Sequence, residues 1–122
     1  GLGGHVERGE AVHAAAEREI YEEAGLRVAG LRLVGVVTID TTEPVGIGLF
    51  VFTAQALARE LVPSAEGTLE WVPASQIAKL DLVEDLLTLL PRVLALPLEA
   101  PTFSAQYTYD TEDKLAIKFF GQ

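Results

Sequence analysis

Residues 4–26 read GHVERGEAVHAAAEREIYEEAGL and carry the densest pattern in the chain. Within this stretch, residues 9–25 predict a helix with an alanine-rich middle. Glu10 is expected in its opening turn, and Gly25 is the expected C-terminal stop because glycine readily adopts the left-handed conformation. The other patterns of the sequence lie around this predicted helix and downstream of it.

Three glutamates of the predicted helix share one face. At about 100° per residue they lie within roughly one third of the helix circumference; they are Glu19, Glu22 and Glu23. Like charges at this spacing destabilise a helix, so the cluster calls for a compensating cation. Hard divalent cations with oxygen ligands, Mg²⁺ or Mn²⁺, suit it best. A solvated acidic face is the simpler interpretation, and the carboxylates alone do not decide between the two.

Composition narrows the classes of function. The 122 residues include no Cys, which excludes disulfides, Cys-ligated metal sites and a thiol nucleophile, and the two His leave little for a His-based site. The net charge of -9 opposes binding to nucleic-acid backbones and to anionic membrane surfaces. A polyanionic small substrate would therefore need a metal ion to bridge the repulsion.

The sequence supports general expectations about cellular location and oligomeric state. The sequence has neither a signal peptide nor an apolar run near the roughly 20 residues that span a bilayer, so we expect a cytoplasmic protein, a monomer or a homodimer. The chain begins with glycine and contains no Met. We therefore expect that the natural N-terminus is missing.

Downstream of the first helix the patterns alternate between strand and helix. Apolar, β-rich segments are followed by an apolar helical repeat interrupted by Pro91 and then by an aromatic hairpin. The expected elements are strands at 31–38, 45–56 and 68–72, a helix at 82–96, and two strands within 103–120 around a turn at 110–114. This order predicts one α+β domain over residues 1–122, with a mixed sheet and helices packed on it.

The segment from Gly4 to Leu26 resembles the Nudix box, G-x5-E-x7-R-E-U-x-E-E-x-G-U with U aliphatic, at every fixed position. The matching residues are Gly4, Glu10, Arg18, Glu19, Ile20, Glu22, Glu23, Gly25 and Leu26. The resemblance implies the Nudix fold, a mixed sheet sandwiched between helices (α/β/α). It also implies metal-dependent hydrolysis of a nucleoside diphosphate linked to another group, so the partner is a small nucleotide rather than a nucleic-acid polymer or a membrane.

The same resemblance implies a metal centre. Glu19, Glu22 and Glu23 would hold Mg²⁺, with a backbone carbonyl of the loop at Gly4 as a further ligand. Such a metal neutralises the diphosphate, polarises a phosphorus centre and lowers the pKa of the attacking water. Many family members add a metal-binding or water-activating carboxylate from the region here reading SAEGTLEWVP, where Glu66 is the expected residue.

Other residues of the box and its surroundings have implied structural roles. Glu10 and Arg18 would pair to brace the loop against the helix, and His5 is expected to be a solvated loop residue. Glu70 is the alternative to Glu66 as the further carboxylate. Trp71 is expected to pack in the core, with stacking on a nucleobase as the alternative.

A narrower resemblance covers GLGGHVERGE, EWVPASQIAKLDLVEDLLTLLPRVL and FSAQYTYDTEDKLAIKFF, which look like the MutT-like 8-oxo-dGTP diphosphatases. In that subfamily an aromatic residue and acidic groups before the second helix read the purine edge. Here the aromatic position falls on Val83, followed by Glu84 and Asp85, which are equally typical of helix N-terminal charges. Three aromatic residues of the hairpin share one strand parity and are expected in the core, with lining one face of a pocket as the alternative: Phe103, Tyr107 and Tyr109.

Two other functions fit the same box. One is hydrolysis of ADP-ribose, a nucleotide sugar or a dinucleoside polyphosphate, because these classes share the box. The other is a non-catalytic nucleotide-binding Nudix module, although such domains commonly lose box carboxylates that this chain keeps. Nudix domains normally have strands ahead of the box, so we expect that N-terminal strands, which contribute to the substrate pocket, are missing from this chain.

Overall fold

The computed structural model describes residues 2–62, 69–80, 82 and 84–120. In chain order its elements are α1 (Val12–Ala24), β1 (Val28–Ile39), β2 (Ile47–Ala56), a short 3₁₀ helix (Ala74–Lys79), α2 (Glu84–Leu94), β3 (Phe103–Tyr109) and β4 (Leu115–Phe120). The expected sequence of helix, strands, helix and strands is confirmed. The strand expected at 68–72 is wrong over residues 69–72, which have no regular structure.

The start of α1 differs from the prediction. Gly9 has a φ of 78°, and the N–H of Glu10 donates to the carbonyl of Glu7 at 3.1 Å, so the chain makes a tight turn before the helix begins at Val12. Glu10 therefore lies in the loop and not in the opening turn of the helix. Its side chain can then fold back toward α1.

The end of α1 follows the prediction. Gly25 is left-handed with a φ of 69°, and its N–H donates to the carbonyl of Tyr21 at 2.8 Å, which satisfies one of the last orphan carbonyls. Ala15 and Ala24 are the buried residues of the helix. Because both side chains are small, the neighbouring chain can approach α1 closely at these two positions.

The strands form one mixed sheet in the order β2-β1-β3-β4. β1 runs parallel to β3, with Gly35 opposite Phe103, and β3 runs antiparallel to β4. The turn between β3 and β4 is closed by Asp110, whose Oδ1 accepts the N–H groups of Glu112 and Lys114 at 2.8 and 2.9 Å. The α+β class with a mixed sheet is thus confirmed.

The chain divides into two compact units. The first comprises Gly1–Arg32 and Phe52–Trp71 and contains α1; the second comprises Leu33–Val51 and Val72–Gln122 and contains α2, β3 and β4. The organisation of residues 1–122 as a single domain remains a prediction. In the part of the chain that the structure describes, no helix is long and apolar enough to cross a membrane.

The core of the second unit is built from β1, α2 and β3. Its buried residues form one cluster: Val34, Val37, Leu89, Val93, Phe103, Ala105 and Tyr107. The core positions expected for Phe103 and Tyr107 are confirmed. The expectation is wrong for Tyr109, which is 49% exposed because it ends β3, next to the polar turn.

Gly35 offers a test of this packing. A Cβ at this position would overlap the ring of Phe103, which is fully buried and cannot move aside. We expect Gly35→Ala to lower the free energy of unfolding by about 1–3 kcal/mol, the usual cost of overpacking. Gly48→Ala in β2 is the matched control, because a Cβ there meets nothing within 4 Å. Equal urea unfolding midpoints for the two variants would contradict this packing.

Candidate active site

The guanidinium of Arg18 joins the loop before α1 to the helix. Its Nε donates to Glu10 Oε2 at 2.8 Å and its Nη2 donates to Glu10 Oε1 at 3.0 Å, a two-point contact. Nη2 also donates to the backbone carbonyl of His5 at 3.0 Å, and Glu10 Oε1 accepts the N–H of Glu7 at 3.0 Å. The pairing of Glu10 with Arg18 that the box implied is therefore present, and it holds residues 5–10 against the helix.

Glu10 and Arg18 form hydrogen bonds between charged groups, and these bonds shift the pKa of each side chain. The bond from Arg18 lowers the pKa of Glu10, and the backbone N–H of Glu7 lowers it further. The same bond to Glu10 raises the pKa of Arg18 above its usual value. Both groups stay ionised at neutral pH, so the contact between loop and helix does not depend on small changes of pH.

Arg18 also reaches two of the expected metal ligands. Its Nη1 donates to Glu19 Oε1 at 2.8 Å and to Glu22 Oε2 at 3.2 Å, and lies 3.6 Å from Glu7 Oε1. The side chain of Glu19 is 18% exposed, whereas that of Glu22 is 58% exposed. The cation that the acidic face requires is therefore supplied in this structure by a neighbouring arginine.

The backbone of the glycine pair lies against the same face. The N–H of Gly3 donates to Glu23 Oε2 at 3.2 Å. A Cβ on Gly4 would overlap the carboxyl group of Glu19, so a larger residue here would require that carboxyl group to move. The backbone of the loop thus comes close to the first carboxylate of the cluster at Gly4.

These donors suit a hard divalent cation by type but are not gathered around one point. Carboxylate oxygens and a nearby backbone are the ligands that Mg²⁺ and Mn²⁺ prefer. Among the described residues, however, no group of three or more His, Asp or Glu side chains is arranged to hold a metal. Glu19, Glu22 and Glu23 share a face, and Arg18 and the N–H of Gly3 are among their partners.

Several residues singled out from the sequence are either outside the described residues or exposed. Glu66 and Val83 fall outside the described residues, and Glu70 is exposed. Trp71 is 41% exposed, so its expected place in the core is wrong. Its Nε1 donates to the carbonyl of Arg59 at 2.6 Å and the Arg59 guanidinium lies 4.7 Å from the ring centre, which gives the indole a polar and a cationic partner at the surface.

The acidic pair of the second unit occupies the first turn of α2. Glu84 is exposed, whereas Asp85 is partly buried and its Oδ2 accepts the hydroxyl of Tyr107 at 3.2 Å. Burial of the phenol, together with the negative charge of Asp85, raises the pKa of Tyr107 to about 12. This contact was not predicted from the sequence. The available signal was that Tyr107, which carries a hydroxyl group, lies on the side of β3 that strand alternation predicts to be buried.

A small cavity in the first unit lies apart from the box carboxylates. It has a volume of about 280 Å³. Its lining residues are Glu17, Tyr21, Leu26, Arg27, Val28 and Leu57. Glu17 projects about 160° from Glu19 around the axis of α1. None of the residues proposed for metal binding lines this cavity.

The arrangement of box residues on one loop and one helix agrees with comparison of the whole sequence. The NUDIX domain profile matches residues 1–93. The chain belongs to the Nudix family.

Two similar proteins extend the comparison. This Nudix chain is 33% identical over 86 residues to a mouse (Mus musculus) protein named oxidized purine nucleoside triphosphate hydrolase, and the match covers 70% of this chain and 55% of the mouse protein. It is also similar to the crystal structure of the mutator MutT protein from Bacillus halodurans, with a TM-score of 0.80 and 24% identity. That match covers 97% of this chain and 79% of the other and shows that the fold is the Nudix fold.

The two glycines of the loop allow a test of the metal site. We expect Gly4→Ala to weaken Mn²⁺ binding about tenfold or more, because a Cβ there displaces the Glu19 carboxyl group. Gly3→Ala is the matched control: its Cβ meets nothing within 4 Å and its N–H still donates to Glu23. Electron paramagnetic resonance titration measures both affinities. Equal Mn²⁺ affinities would mean that the contact between Gly4 and Glu19 does not matter for the metal.

Proposed function

We propose that this protein is a Nudix pyrophosphohydrolase that cleaves an oxidised purine nucleoside triphosphate to the monophosphate and pyrophosphate, with Mg²⁺ or Mn²⁺ as cofactor. The observation that carries the proposal is the complete box, with its three carboxylates on one face of α1 and the Gly4 backbone next to the carboxylate of Glu19. The name of the mouse relative supports the substrate class.

The metal would be held by Glu19, Glu22 and Glu23 together with the loop at Gly4, and Glu66 is proposed as the further carboxylate. When bound, the cation supplies charge neutralisation of the diphosphate and a lower pKa for the attacking water. The need for it follows from charge, because a chain with a net charge of -9 repels a polyphosphate.

Arg18 is proposed to hold the carboxylates of Glu19 and Glu22 in place before the metal binds. Its contacts with Glu10 and with the carbonyl of His5 anchor the guanidinium, while Nη1 alone touches the metal-binding side chains Glu19 and Glu22. The anchored part can therefore stay in place when Nη1 gives up these two carboxylates to a metal. The loop and the helix then keep their relative position through the exchange.

The reaction needs one water and no redox partner. The water oxygen attacks a phosphorus atom of the substrate, the bridging P–O bond breaks, and pyrophosphate leaves. A carboxylate takes the proton of the attacking water, and Glu66 is the proposed acceptor, with Glu70 as the alternative. Glu19, Glu22 and Glu23 contribute by holding the metal.

Substrate selection is proposed to involve Glu84 and Asp85 in the first turn of α2. Both are acidic, and Asp85 is the more restrained of the two because of its bond with Tyr107. Carboxylates accept hydrogen bonds from the N–H groups of a purine edge. We further propose that the enzyme acts on free nucleotides in the cytoplasm, as a monomer or a homodimer, and not on nucleic-acid polymers or membranes.

A substrate panel tests the reaction. We expect Mg²⁺-dependent release of pyrophosphate from oxidised purine dNTPs, with weaker activity on unmodified dNTPs, and loss of turnover in EDTA because the carboxylate site needs its cation. Preference for ADP-ribose or a nucleotide sugar would contradict the proposed oxidised purine substrate. Nucleotide binding without any Mg²⁺-dependent turnover would instead favour the non-catalytic Nudix module.

The box carboxylates can be tested one at a time. We expect Glu22→Gln and Glu23→Gln each to lower kcat by orders of magnitude, roughly 10²-fold or more, while the fold survives, because each removes a metal-binding charge and keeps the shape. Glu17→Gln is the control, since Glu17 is an exposed residue on the other side of α1. Steady-state kinetics and circular dichroism give the two readouts. Full activity in both box variants would place the metal elsewhere.

A further inference from the structure

The carboxylate of Asp85 is bonded to a phenol that belongs to the core. The hydroxyl of Tyr107 donates to Asp85 Oδ2 at 3.2 Å, although the two residues are 22 positions apart in sequence. Tyr107 is 2% exposed and is among the most completely buried large side chains of the described residues, whereas Asp85 is only partly buried. A rigid donor therefore holds one oxygen of a more accessible acceptor.

This contact limits what Asp85 can offer to a ligand. An ionised carboxylate has no proton to donate, and here one of its oxygens is already engaged from within the protein. The other oxygen remains for an external N–H group. A purine with N–H donors on its edge matches that oxygen, as guanine does with its N1–H and amino group. Adenine has an amino donor on this edge but an acceptor at N1, so an Asp85 oxygen placed opposite N1 would meet a second acceptor.

We propose that Tyr107 is a specificity-determining positioning residue, which orients Asp85 as a hydrogen-bond acceptor and so favours guanine-type over adenine-type nucleotides. The inference rests on the proposed function, in which Asp85 meets the base. It adds a residue that does not touch the substrate and a direction of base preference.

A purely structural role for the hydroxyl makes a different prediction. A buried phenol needs a hydrogen-bond partner, and Asp85 could serve only to satisfy it. Removing the hydroxyl would then alter stability and leave base preference unchanged. The two roles separate in measurements of preference, since Phe keeps the ring in the core and removes only the donor.

The first experiment compares Tyr107→Phe with Tyr109→Phe, a control on the same strand with the same parity and an exposed side chain. We expect the guanine-to-adenine ratio of kcat/KM to fall about tenfold in Tyr107→Phe, through KM with little change in kcat, and to stay unchanged in the control. Isothermal titration with dGMP and dAMP gives the same ratio from binding alone and does not require turnover.

A second variant tests orientation without removing the phenol. In Asp85→Asn the side chain has one acceptor and one donor, and Tyr107 will hold the amide oxygen, so the NH₂ group is left for the base. We expect base preference to shift toward adenine. In the double variant with Tyr107→Phe the amide is free to turn over, and this shift should be lost. Such non-additivity is the signature of one residue acting through the other.

The outcomes distinguish this inference from the proposed function. If Asp85→Asn shifts the preference but Tyr107→Phe does not, alone or combined, the positioning role is overturned and the proposed function stands. If neither Asp85→Asn nor Tyr107→Phe changes the base preference while Mg²⁺-dependent hydrolysis persists, Asp85 does not read the base. The positioning role of Tyr107 is then overturned as well. Absence of hydrolysis refutes the proposed function, and the binding ratios still decide the role of Tyr107.

Discussion

The first unit depends on one guanidinium. Arg18 bonds to the side chain of Glu10 and the carbonyl of His5 in the loop, and to Glu19 and Glu22 on the helix. A planar group with several fixed donors can satisfy all of these acceptors at once, which the single ammonium of lysine could not do in the same geometry. Without it, a strongly acidic helix face would repel itself and the loop would lose its anchor.

The Arg18 guanidinium also bears on the metal binding that is proposed for the acidic face of α1. Carboxylates that bind a metal tightly are costly to hold together without a cation, because like charges repel at close range. Arg18 neutralises part of this face from a neighbouring position and is itself held by Glu10. The carboxylates proposed to hold the metal are therefore already held on one face of α1 by hydrogen bonds from Arg18.

Agreement between sequence and structure is highest where the determining contacts are local. The left-handed stop at Gly25 and the turn at Asp110 between β3 and β4 depend on residues within a few positions of one another. The prediction for Glu10 was wrong because of a local turn, and the prediction for Trp71 was wrong because its partners lie in another segment. A tight turn at Gly9 kept Glu10 out of the helix, and Trp71 found its partners in Arg59.

The sequence by itself determined the acidic face of α1, the spacing of the Nudix box and the α+β order of elements, since helical and strand periodicity follow from the chain alone. Only the tertiary structure decided which groups meet across long separations. It placed the carbonyl of His5 against Arg18, and Tyr107 against Asp85. Such contacts arise from the packing of whole elements, and spacing along the chain carries no record of them.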